Sequence, residues 1–276
     1  MKLPHTLFAL PFALVGMLGA SHLAPITGPI LLWIVVAFSA ARFAAMGFNR
    51  IVDRRYDALN PRTAQREIPR GAIGIGAARV AVLLASALFV IAARMLNPLC
   101  FYLAPVALLW VLGYSYAKRF TTWPHLWLGL GLGIAPVGGW LAVTGTWSTP
   151  WWLLPLVALA VMTWVAGFDI FYALPDAGFD VSQGLRSVVV RFGERRAILV
   201  AKLLHGVTIP ALALFGWQAG FGWWYAAGLV LAALILAYEH RLVQPGDLSR
   251  LDAAFFTMNG VMSVTVFAAA LVDRMM

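Results

Sequence analysis

The chain has 276 residues, of which 62% are hydrophobic and only 11% charged, and its mean hydropathy is +0.85. Soluble domains carry about 25% charged residues, so a water-soluble globular protein is excluded. A single cysteine, Cys100, excludes an internal disulfide framework, and the net charge of +9 needs a cause that fits an oily chain.

A membrane helix needs about 20 mostly apolar residues. Runs of that kind, punctuated by Gly, Pro and charge, predict nine spans near residues 6–21, 28–48, 73–94, 97–116, 125–144, 151–173, 197–217, 221–238 and 253–272. The opening "MKLPHTLFALPFALVGMLGASHLA" has one Lys and a poor small-residue site, so it reads as a first span rather than a cleaved leader. With a cytoplasmic N-terminus, every Lys and Arg except Arg42, Arg94 and Arg274 falls on the cytoplasmic side. That asymmetry follows the positive-inside rule. The basicity is therefore topological, and no nucleic-acid partner is expected. The chain is read as one membrane-embedded unit over residues 1–276.

Directly after the second span comes "FNRIVDRRYDALNPRTAQREIPRG". Asn49, Asp53 and Asp57 stand at i, i+4 and i+8, one stripe on a helix with neighbours about 6 Å apart. The sixth span runs into "GFDIFYALPDAGFDVSQGLRS", where Asp169, Asp176 and Asp180 again share one helical stripe. Pro175 is expected to kink or end that helix. The two stretches read as a degenerate repeat: Asp53, Asp57, Arg62 and Thr63 match Asp176, Asp180, Arg186 and Ser187. The fold expected is thus an all-α bundle of two four-helix halves plus one helix, with both acidic stripes on the cytoplasmic side of a shared cavity.

Massed carboxylates at a membrane end repel one another and resist desolvation. A divalent cation removes that penalty, and Mg²⁺ favours one or two carboxylates, waters and phosphate oxygens. Neighbouring Arg and Lys then gain an anion to clamp. Acidic stripes with a basic fringe at the mouth of an apolar cavity therefore point to a lipid diphosphate with Mg²⁺. The plain alternative is a set of solvated juxtamembrane ion pairs.

These residues resemble the UbiA-type intramembrane prenyltransferase superfamily. Its pattern N-x3-D-x3-D is matched by Asn49, Asp53 and Asp57, and D-x2-Y-A-x2-D-x3-D by Asp169, Tyr172, Ala173, Asp176 and Asp180. The similarity covers essentially the whole chain, including "YSYAKRFT" and "SVVVRFG". Two departures stand out. Arg50 follows the Asn where many relatives carry Asp, and Leu174–Pro175 replaces a more polar pair.

The resemblance implies a nine-helix enzyme in the cell membrane, its site facing the cytoplasm. It would transfer a polyprenyl group from a polyprenyl diphosphate to an aromatic acid in quinone synthesis. Asp53, Asp57, Asp176 and Asp180 are the expected catalytic metal ligands, with Asn49 and Asp169 assisting. Arg66, Lys118 and Arg119 are the expected diphosphate clamps. "NPRTAQREIP" and "GFDIFYA" are similar to a menaquinone branch acting on 1,4-dihydroxy-6-naphthoate; the other branch takes 4-hydroxybenzoate. Heme, chlorophyllide and glyceryl lipids are the alternative acceptors.

Arg42 lies at i−7 from Asn49, on the same face and about 10 Å deeper. Intramembrane Arg is usually functional, so Arg42 is expected to pair with an acceptor carboxylate, with a structural ion pair as the alternative. Phe48, Phe168 and Tyr172 flank the motifs as faces that can stabilise a cation, or as simple packing aromatics. His5 and His125 are expected as polar residues at span entrances, with a hydrogen bond to substrate as the alternative, and Asn259 as a bridge between helices. Gly129, Gly131, Gly133, Gly138 and Gly139 are expected to allow close helix packing. Outside this enzyme class, a transporter predicts acids near mid-membrane without flanking Arg, and a CDP-alcohol phosphotransferase requires a D-G-x2-A-R element that the chain lacks.

Overall fold

A computed structural model describes residues 6–276, with side chains from Leu10 onward, so His5 lies outside the described residues. In chain order the helices are α1 (Thr6–Ala20), α2 (Gly28–Val52), α3 (Arg54–Leu59), α4 (Ile75–Leu96), α5 (Pro98–Gly113), α6 (Ala117–Phe120) and α7 (Pro124–Thr144). They continue as α8 (Leu153–Ala173), α9 (Ala177–Ser182), α10 (Val188–Phe192), α11 (Glu194–Gln218), α12 (Trp223–Leu242) and α13 (Asn259–Met275). No β-strand occurs among the described residues. Eight helical segments there are long and apolar enough to cross a membrane, the last of them starting at Ala253. The expected first span appears as α1, which has 15 residues and a length of about 22 Å.

Local chemistry explains the punctuation. Thr27 accepts from the Ile30 amide at the start of α2, with proline in the first turn. Asn97 ends α4 and caps α5 through the Cys100 amide at 2.9 Å, and its side-chain amide donates to the Leu141 carbonyl at 2.8 Å. One asparagine thus starts a helix and ties it to α7. Gly145 ends α7 with a positive φ of 65°, a conformation that glycine adopts without a Cβ penalty.

Helix α8 is the axis of the bundle, with fully buried Trp164, Phe171 and Ile170 along its length. It packs against α7 and α11, while α1 packs chiefly against α7 and α13. A Cβ at Gly129 would collide with the Met162 carbonyl, and one at Gly139 with the Ala13 carbonyl. Close packing of α7 therefore depends on these glycines. Gly133 faces Ala158 in the same way, but Gly131 meets only side chains and Gly138 has nothing within 4 Å. The glycine expectation holds for three positions of the five.

At one end of the bundle both motif helices break at matching places. Helix α2 stops at Val52 and continues as α3, with the Asp53 amide still bonded to the Asn49 carbonyl and the Asp57 amide to the Asp53 carbonyl, each at 2.8 Å. Helix α8 stops at Ala173, passes through a 3₁₀ turn at Leu174–Asp176 containing Pro175, and resumes as α9. At the other end, Arg274 donates to the carbonyls of Leu18, Ala219 and Gly220, joining α13 to α1 and to the turn after α11.

Candidate functional site

The helix breaks turn both acidic stripes toward one mouth. Within the first, the Asn49 amide donates to Asp53 at 2.8 Å. Asp57 and Asp180, the last acids of the two motifs, are 6% and 2% exposed. Asp53 and Asp176 are more accessible. Burial pushes the Asp53 carboxyl up to about 6 against the pull of Arg119, with Asp57 adding to the rise.

Each motif acid is held by a different cation. Arg119 pairs with Asp53 at 3.0 Å, Arg66 with Asp57 at 2.8 Å, Arg62 with Asp176 at 2.7 Å and Lys118 with Asp180 at 2.9 Å. One of these pairs and a neighbouring hydrogen bond join the motifs. Arg62 follows the first motif but binds the second, and the neighbouring Asn60 amide donates to Asp176 at 3.1 Å. Lys118 and Arg119 are consecutive residues of α6, and they serve the second and first motifs respectively. The expected clamps Arg66, Lys118 and Arg119 are thus all at the mouth, and Arg62 joins them.

Sequence reading missed two partners. His125 is 1% exposed, and its Nδ1 lies 2.7 Å from Asp169 Oδ2. It is a buried partner of a motif residue, where a polar span-end residue or a hydrogen bond to substrate was expected. The available signal was topological: His125 opens α7 and Asp169 nears the end of α8, and consecutive helices return to the same level. Arg50, which departs from the family pattern, pairs with Glu67 at 2.6 Å. The bond from its own backbone amide, with Arg50 beside it, holds Glu67 below the usual carboxylate range.

Aromatic rings line the mouth. Arg62 lies over Tyr172 at 5.0 Å, and Arg119 over Tyr116 at 4.9 Å and Tyr56 at 5.5 Å. Phe48 meets Tyr116 edge to face, and Phe168 meets Trp164 and Phe255 in the same manner. Beside the first motif an open cavity of about 650 Å³ runs along α2, α4 and α5. Its wall is mainly apolar, including Phe48, Val82, Leu83 and Leu108, with Arg54, Arg79 and Arg119 also in the lining. Arg42 sits in α2 two turns before Asn49.

Among the described residues no three His, Cys, Asp or Glu side chains form a metal cluster; the motif acids are each drawn to a base. The donor set still fits a hard cation. It is all oxygen, the Asn49 side-chain carbonyl included, and Asp57 Oδ2 is buried with no hydrogen-bond partner. A cation that takes few carboxylates and completes its shell from water and phosphate suits that arrangement.

A model of the UbiA prenyltransferase family matches residues 9–261. The chain is 31% identical over 245 residues to the 4-hydroxybenzoate octaprenyltransferase of Nitrosococcus oceani, covering 88% of this chain and 84% of that one. The solved structure of an apo UbiA homolog from Aeropyrum pernix K1 superposes with a TM-score of 0.90 at 31% identity, covering 99% of both chains. A UbiA homolog from Archaeoglobus fulgidus bound to GPP and Mg²⁺ shares the fold, with a TM-score of 0.76 at 20% identity over 98% of this chain and 96% of that one.

Proposed function

This chain belongs to the UbiA prenyltransferase family, it is a multi-pass membrane prenyltransferase, and from that premise we propose that it moves a polyprenyl group from polyprenyl diphosphate to the ring of an aromatic acid in quinone biosynthesis. We read α1 as a ninth span, residues 1–276 as one catalytic unit, and the motif end of the bundle as the cytoplasmic face of the cell membrane. The observation that carries the reading is the paired mouth: four acids, four cations, and two links from first-motif flanks to Asp176.

In this reading Asp53, Asp57, Asp176 and Asp180 hold Mg²⁺, with Asn49 orienting Asp53 and Asp169 steadied by His125. When bound, the ion supplies positive charge that neutralises the departing diphosphate. Lys118, Arg119 and Arg66 exchange their aspartate partners for phosphate oxygens, charge-assisted bonds that strengthen as negative charge collects on the leaving group. The isoprenoid chain lies in the apolar cavity along α2, α4 and α5. Cleavage of the C–O bond leaves an allylic cation, and the rings of Phe48 and Tyr172 offer it π faces. Apolar walls exclude water, which would otherwise quench the cation to an alcohol. The electron-rich ring carbon beside the acceptor's phenol forms the new C–C bond, and transfer of its proton to an aspartate of the mouth or to the released diphosphate restores aromaticity. Arg42 binds the acceptor carboxylate, and Tyr172 forms one side of the ring's pocket.

The curated relatives carry 4-hydroxybenzoate in their names, which favours that acid. The segment "NPRTAQREIP" favours 1,4-dihydroxy-6-naphthoate. Purified protein with Mg²⁺ and labelled polyprenyl diphosphate, offered the two acids in parallel, separates these readings. Prenylation of one acid supports the proposal and selects the acceptor. Diphosphate release with neither acid prenylated rejects the acceptor class.

A further inference from the structure

Away from the mouth, a polar knot is enclosed by α8, α11, α12 and α13. Glu239 and Asn259 are fully buried and His205 is nearly so. Trp164 Nε1 donates to Asn259 Oδ1 at 2.8 Å, and Asn259 Nδ2 donates to Glu239 Oε1 at 3.1 Å. His205 sits 3.0 Å from His240 through one ring nitrogen and 3.0 Å from the Trp164 carbonyl through the other. A Cβ at Gly167 would collide with the His205 ring, so α8 is thinned where the histidine approaches. Polar groups inside a membrane bundle are costly unless paired, and those retained are commonly functional.

The knot holds an irregular turn. Ala253–Met258 is π-helical, a form that is rare and often placed at functional sites. The other hydrogen of the Asn259 Nδ2 group is shared between the carbonyls of Ala254 and Phe255, at 3.1 Å each. The turn carries two rings to the second motif. Phe255 stacks on Tyr172 at 4.2 Å and 25°, and Phe256 meets Tyr172 edge to face. Phe255 is buried behind Tyr172, while Tyr172 is partly exposed and carries Arg62, the partner of Asp176, over its ring.

We propose that Phe255 and Asn259 are positioning residues for the acceptor pocket: Asn259, anchored on Glu239 and Trp164, fixes the π turn, and Phe255 braces Tyr172 from behind, so that the orientation of the Tyr172 ring, with Arg62 over it, sets the fit of the acceptor ring. The inference rests on the reading of Tyr172 as part of the acceptor pocket. Glu239 serves by accepting from Asn259, which a glutamine carbonyl also does.

Removing the stack loosens one ring contact. Phe255→Leu should raise the acceptor KM about three- to tenfold, leave the polyprenyl diphosphate KM within about twofold, and shift the preference between single-ring and two-ring acids. Asn259→Ala should do the same, and Glu239→Gln should keep wild-type constants. Equal changes in both KM values, or altered melting with unchanged acceptor constants, would overturn the proposal. Hydrogen–deuterium exchange gives a second reading that needs no turnover. Asn259→Ala should accelerate exchange at residues 253–258 and at 168–176 but not in α2. Unchanged exchange at 168–176 would overturn the brace. A wild-type enzyme that prenylates neither acid would reject the function instead, and exchange alone then decides on the brace.

Discussion

The two acidic motifs are built alike and held differently. Each occupies a broken helix end, and each buries its last acid more deeply than the acid four residues before it. The first motif relies mainly on near neighbours, Asn49 for Asp53 and Arg66 for Asp57, with Arg119 of α6 reaching Asp53 from farther along the chain. The second relies on distant ones: Arg62 and Asn60 for Asp176, Lys118 for Asp180, and His125 for Asp169. The repeat-related arginines have diverged too. Arg62 crosses to Asp176, whereas Arg186 donates to the Phe120 carbonyl. A duplicated motif thus yields one asymmetric mouth, in which the first half supplies cations to the second.

The deepest test of that asymmetry is chemical. Asp53→Ala and Asp176→Ala should each lower kcat/KM by about 10³-fold or more while the fold persists, because both motifs serve one leaving group. Near-normal rates in either protein would remove that motif from catalysis. Next in size, Lys118→Ala should lose about 10- to 100-fold in kcat/KM for the polyprenyl diphosphate, the weight of a charge-assisted bond. The divergence of the arginines predicts an unequal pair: Arg62→Ala should lose about tenfold in rate and Arg186→Ala less than about twofold. Equal losses would restore symmetry to the mouth.

The smallest expected effects are on stability. His125→Phe leaves the largely buried Asp169 without its partner and should destabilise by about 1–3 kcal/mol. Asn49→Ala, which removes a bond to the more exposed Asp53, should cost about 0.5–1.5 kcal/mol. Thermal melts in one detergent compare the two directly.

Much of this frame was legible in the chain. Eight of the nine expected spans, the break at Pro175 and the i, i+4 spacing of the acids follow from local rules of length, φ restriction and helical period. Asn259 as a bridge and three of the α7 glycines as contact points also follow from composition inside a span. The pairings were not legible. Arg62 meets Asp176 across 114 positions of sequence and His125 meets Asp169 across 44, and only the packing of α7 against α8 and of the motifs on α6 brings them together. The π turn at Ala253–Met258 was hidden for a related reason: its register is set by Asn259, Glu239 and Trp164 from three helices. No period in "AAFFTM" announces it.

Everything converges on whether both motifs grip one diphosphate. Calorimetric titration of a non-hydrolysable polyprenyl diphosphate analogue in the presence of Mg²⁺ measures this directly, using wild type, Asp57→Asn and Asp180→Asn. The account predicts one Mg²⁺-dependent site per chain in the wild type, and loss of binding in each variant alone. Two sites, or a single site that persists when either acid is neutralised, would contradict it.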